Sequence, residues 1–145
     1  MCNFAVELFE PIRRDGVIRF YKLLVDGKAQ IDSFYDELCK NKTLEKEFKE
    51  ILSCMNYVAE TNASLPKNKV NSIKDGGKEI AIEFKKKNLR VYCFKKEPDV
   101  FVILGGYKNN QKKDVEKLKR LLKTERGFVD NLQQAIEKEE NTDLL

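Results

Sequence analysis

The segment from Lys85 to Arg126 carries 14 Lys and Arg against 5 Asp and Glu, a balance of +9, whereas the remainder carries 14 against 19, a balance of −5. Cations gathered in this way suit a polyanion, because neutralising phosphates and releasing their counterions supplies most nucleic-acid affinity. A solvated lysine-rich surface would give the same count. The 145-residue chain has no histidine, which removes Ser-His and Cys-His nucleophilic pairs together with the commonest metal ligand. Proton transfer would then fall to Lys, Tyr, Glu, Asp or a group on the substrate. The 4 cysteines, Cys2, Cys39, Cys54 and Cys93, lie far apart with no C-x-x-C pair, so neither a zinc centre nor a disulfide framework is suggested. No metal and no cofactor is expected.

The elements that must position these cations follow from the apolar pattern. The run FVILGG (Phe101–Gly106) is almost wholly apolar, ends in two glycines and passes into the lysine-and-amide stretch YKNNQKKD. It reads as a buried central strand, covered on both faces, whose exposed end bears a cationic site, with Gly105 and Gly106 letting the chain leave the strand. Before it, EIAIEFK and LRVYCFKKE alternate as strands, and short turns would join all three into an antiparallel meander. At the N-terminus NFAVELFE and VIRFYKLLV read as two strands around the turn Pro11 to Gly16. Ile31, Phe34, Tyr35 and Leu38 keep helical spacing, and a second helix capped by Thr43 carries Leu44, Phe48, Ile51, Leu52, Met55 and Val58 on one face. Residues 60–79 read as one long polar loop. Val115, Leu118, Leu121 and Leu122 mark a third helix, and a fourth follows Gly127. The expected fold is α+β: an antiparallel meander sheet with an N-terminal helical hairpin packed on it and C-terminal helices. One domain is expected over 1–145, with 128–145 as a helical extension. No stretch nears the roughly 20 apolar residues of a membrane span and the N-terminus lacks signal-peptide features, so the expected location is the cytoplasm.

The stretch EIAIEFKKKNLRVYCFKKEPDVFVILGGYKNNQKKDVEKLKRLL resembles the C-terminal half of RelE/HigB-type toxins, in particular the phage Gp49-like branch of the RelE/ParE superfamily. That family reads as a strand ending in Glu-Leu-Arg, a strand opening with Arg-Val-Tyr, an apolar strand, then an aromatic and basic-amide run entering a helix. The resemblance implies a RelE-like fold and sets Lys85 where the family has a catalytic arginine. Arg90 matches the arginine of Arg-Val-Tyr, and Tyr107 to Lys112 matches the aromatic-Lys-Lys-x-Gln-Lys run, with Asn109 in place of the second lysine. No Tyr or His follows Tyr107 to complete the site.

The activity implied by the resemblance is that of a type II toxin-antitoxin toxin, an mRNA interferase cutting messenger RNA on the translating ribosome by attack of the ribose 2′-OH on the adjacent phosphate. Lys85, Arg90 and Lys108 are the implied catalytic residues, supplying charge to a phosphorane-like transition state. Gln111 and Lys112 are implied RNA contacts; Tyr92 and Tyr107 are candidates for base stacking, and Lys67 and Lys69 of the long loop are candidates for contacting ribosomal RNA. The implied partners are the ribosome, mRNA and a cognate antitoxin with a helix-turn-helix DNA-binding fold; no membrane partner is implied. Two other readings stay open. A ParE-like inhibitor of DNA gyrase could share the fold, and a non-catalytic RNA-binding regulator would use the same cations without cleavage. Arg90 could also pair with Glu83 or Glu79 as ordinary surface electrostatics.

Overall fold

The computed structural model describes residues 4–124. In chain order these form β1 (Phe4–Leu8), β2 (Arg19–Val25), α1 (Gln30–Leu38), α2 (Lys42–Thr61), β3 (Val70–Asp75), β4 (Lys78–Lys86), β5 (Leu89–Lys96), β6 (Asp99–Tyr107), a 3-10 turn at Lys108–Asn110 and α3 (Gln111–Thr124). The helix expected at 128–145 lies outside the described residues.

The α+β class holds, but the antiparallel meander is corrected to a mixed sheet of six strands in the order β1-β2-β6-β5-β4-β3. β3 through β6 are antiparallel neighbours, as are β1 and β2. β2, however, runs parallel to β6, with Arg19 beside Asp99 and Lys22 beside Val102. The reason lies in β6 itself. Every residue from Asp99 to Gly106 is buried, and a fully buried Val or Phe side chain contributes roughly 1.5–3 kcal/mol, so this strand must be covered on both edges and both faces. β5 can cover only one edge. The apolar β2 takes the other, and the chain then crosses one face as α1 and α2 before re-entering the sheet at its far edge as β3.

The two faces have different covers. On one, Ile31, Phe34, Leu38, Phe48, Ile51 and Met55 of the helix pair pack against Phe20, Phe84, Val91 and Val102 of the sheet. On the other, Leu118 of α3 joins Tyr21, Tyr92, Phe101 and Leu104, with Val115, Leu121 and Leu122 partly buried around it. β6 is therefore central and covered on both sides, as its composition requires.

Two local expectations are corrected. Asn41, and not Thr43, caps α2: its Oδ1 accepts the N–H groups of Thr43 at 3.0 Å and Leu44 at 3.2 Å, so two of the unpaired donors at the helix start are satisfied by one side chain. Residues 60–79 are not all loop, because Val70–Asp75 is β3. Only Ile73 of that strand is buried, which leaves no apolar alternation to read. Its hairpin partner is announced instead by Gly76 and Gly77, whose φ of +61° and +82° make the left-handed two-residue turn that suits strand twist. No described helix is long and apolar enough to cross a membrane.

Candidate functional site

Antiparallel pairing places Lys85 of β4 opposite Arg90 of β5, and Arg90 opposite Gly106 of β6, in one row near the end of the sheet. The next row inward is Glu83, Tyr92 and Leu104. Because side chains alternate along a strand, Lys85, Glu83, Arg90 and Tyr92 share the face that α3 covers. Lys108 is tied to the same corner, its N–H donating to the Asn88 carbonyl at 2.8 Å in the β4–β5 turn. Lys69 is tied there too, its carbonyl accepting the Lys85 N–H at 2.9 Å. The topology thus gathers Lys69, Lys85, Arg90 and Lys108, with Lys112 in the first turn of α3, at one corner of the molecule.

The side chains at that corner differ in what they are free to do. Lys108 and Lys112 are exposed and Lys85 half-buried; among the described residues, none of the three makes an ion pair. Arg90 is only 7% exposed. Its Nη1 donates to the carbonyls of Leu89 at 2.8 Å and Lys87 at 3.0 Å, so the guanidinium is folded back on the turn, and its Nε is buried without a hydrogen-bond partner among the described residues. Neither carboxylate considered as its partner pairs with it. Glu83 accepts Gln111 Nε2 at 2.9 and 3.2 Å, and Glu79 accepts the Ser72 hydroxyl. Gln111 is therefore turned inward, linking the start of α3 to β4.

Glu83, Arg90 and Tyr92 form a buried polar group beneath α3, bordered by the half-buried Asp114 of that helix. Burial pushes the Tyr92 hydroxyl well above the usual phenol range, helped by the charges of Glu83 and Asp114 and opposed by Arg90. Burial likewise raises Asp114 above the ordinary carboxylate value, against the pull of Lys117. Tyr92 is 0% exposed, so in this structure its ring packs in the core and reaches no base. Tyr107 lies on the opposite face, its ring set edge-on to Phe34 at 5.3 Å. Lys67 lies apart from the cationic corner, in a groove on the α2 face.

The glycines expected to release the chain from its strand are inside β6, where they serve opposite neighbours. A methyl group on Gly105 would overlap the Phe34 ring of α1, and one on Gly106 would overlap the Asp114 carboxylate of α3. Sequence reasoning missed Gln30, whose side chain clamps Gly105 by donating to its carbonyl at 2.8 Å and accepting its N–H at 2.7 Å. β2 pairs with β6 only as far as Val102, so the Gln30 amide stands in for the missing strand. It also missed Glu47, buried on α2, whose Oε1 accepts the Asn88 N–H at 3.0 Å and fixes the β4–β5 turn. A Glu in helical register with the apolar Leu44 and Ile51 was the available signal.

The corner thus sets two exposed lysines, Lys108 and Lys112, and the half-buried Lys85 near a guanidinium held by backbone carbonyls. Among the described residues no cluster of His, Cys, Asp and Glu is placed to hold a metal ion. Comparison with family models, with curated proteins and with solved structures finds no match.

Proposed function

We propose that this protein is an endoribonuclease toxin of the type II toxin-antitoxin class, cutting mRNA on the ribosome in the cytoplasm and held in check by a helix-turn-helix antitoxin. The observation that carries the reading is the row Lys85–Arg90–Gly106 with Lys108 fastened beside it, which agrees with the motif order that resembles RelE/HigB-type toxins. In this mechanism the ribose 2′-oxygen bonds to phosphorus, the bond from phosphorus to the 5′-oxygen breaks, and a proton passes from the 2′-OH side to the departing 5′-oxygen. Lys85, Lys108 and Lys112 would meet the non-bridging oxygens, where charge accumulates in the transition state. Arg90, held by two carbonyls, would position the turn and add its positive charge from beneath the surface.

One observation favours a second reading, a non-cleaving RNA-binding regulator: the most enclosed cation, Arg90, is already committed to backbone carbonyls. Translating ribosomes programmed with a defined mRNA separate the two. Cleavage mapped as new 5′ ends, lost in the Lys85→Ala/Lys108→Ala double variant with its melting curve unchanged, supports the nuclease. Salt-sensitive RNA binding with intact transcripts supports the regulator, and an unimpaired double variant overturns the assignment of these lysines.

A further inference from the structure

The sheet has an open side at β3, the strand next to the one that carries Lys85. β3 is the last strand in the sheet order, and the bond from Lys85 N–H to Lys69 O fixes which of its groups are used. In an antiparallel ladder hydrogen-bonded pairs alternate with non-bonded ones, so residues 69, 71 and 73 bond to β4 while the N–H and C=O of Ser72 point away from the sheet. Beside this edge, on the α2 face, runs a groove of about 380 Å³. Its floor is apolar, from Val58, Leu65, Val70, Ile82, Phe84 and Val100. Its rim is cationic, from Lys67, Lys74 and Lys95, with Glu79 as the one acid and that acid already bonded to Ser72. Lys95 has Glu97 at 3.3 Å, whereas Lys67 and Lys74 have no ion-pair partner among the described residues.

We infer that the β3 edge and this groove dock an extended, acidic segment of a partner protein, which adds to the sheet as a further strand. Edge backbone groups supply the main-chain bonds of such an addition, and alternate side chains of the added strand supply its selectivity. Side chains that share the face of Val70, Ser72 and Lys74 would lie along the groove, apolar ones over its floor and carboxylates against Lys67 and Lys74. The charge selects this occupant over a second copy of the chain, because two copies would bring two lysine rims together, the device by which edge strands resist self-pairing. The strand edge and the apolar floor select it over a polynucleotide, which can use neither. The inference stands independently of the cationic row, which lies on the other face.

The probe is a fluorescein-labelled peptide of about six residues, a common strand length, alternating Glu and Val, added to the full chain with anisotropy and amide chemical shifts as readouts. Saturable binding is expected, with the largest shifts at Val70–Lys74. The Lys67→Glu/Lys74→Glu variant is expected to bind about tenfold or more weakly, since two exposed attractive pairs become repulsive. Ser72→Pro, which removes the outward N–H, should weaken binding as well. Should that variant lose the strand, the charge reversal at exposed lysines still decides the matter. Equal binding of a Lys-Val peptide, shifts elsewhere, concentration-dependent dimerisation through β3, or displacement by single-stranded RNA at the same amides would each overturn the proposal.

Discussion

At the scale of single residues, the cations were legible and their orientations were not. Lys85, Arg90 and Lys108 can be picked from residue type and order, but whether a side chain meets solvent depends on α3 lying over the α3-side face, and that docking is set by Leu118 and its neighbours, far along the chain. Arg90 is thereby enclosed and Gln111 turned inward. Asp114 offers a direct measure of this enclosure. Burial raises its pKa above the ordinary 3.8, so the folded state favours the neutral acid. The stabilisation is complete below the unfolded pKa and is lost as pH rises through the folded one. Asp114→Asn is therefore expected to gain stability relative to the parent as pH rises from about 4 to 7, followed by urea unfolding at each pH. A difference that stays constant across that range would mean the carboxylate is fully hydrated.

Among the elements, the amphipathic helices and the strands β4 and β5 were visible as periodicities, and β6 as an unbroken apolar run. β3 was hidden because an edge strand with one buried residue carries almost no pattern, and the cap of α2 falls on Asn41 because its amide oxygen reaches the N–H groups of both Thr43 and Leu44. The pair Gly105 and Gly106 is where both helical layers press on one strand. Gly105→Ala should cost about 1–3 kcal/mol through overpacking, because the Phe34 ring it meets is itself packed against Phe48 and Tyr107. Gly106→Ala should cost less, as the Asp114 carboxylate can swing aside. Thermal or urea unfolding of the two variants tests the order. A neutral Gly105→Ala would mean that α1 sits farther from β6 than described.

For the molecule as a whole, the class could be read and the strand order could not. Which strand lies beside β6 depends on a pairing between the two ends of the described chain, and no local pattern encodes it; the parallel β2–β6 contact is forced only once every position from Asp99 to Gly106 must be buried. This arrangement predicts a gradient of hydrogen exchange. Backbone amides of β5, and of β6 as far as Val102, lie in strands paired on both edges and should exchange only on global unfolding, while those of β1 and β3 at the borders should open locally and faster. Uniform protection across all strands would contradict the order β1-β2-β6-β5-β4-β3. The middle of the sheet is also its last strand to be synthesised. On a ribosome β2 is made well before β6, so its inner edge has no strand to pair with until β6 is added, and the sheet stays without its central strand, and the cationic corner unassembled, until then.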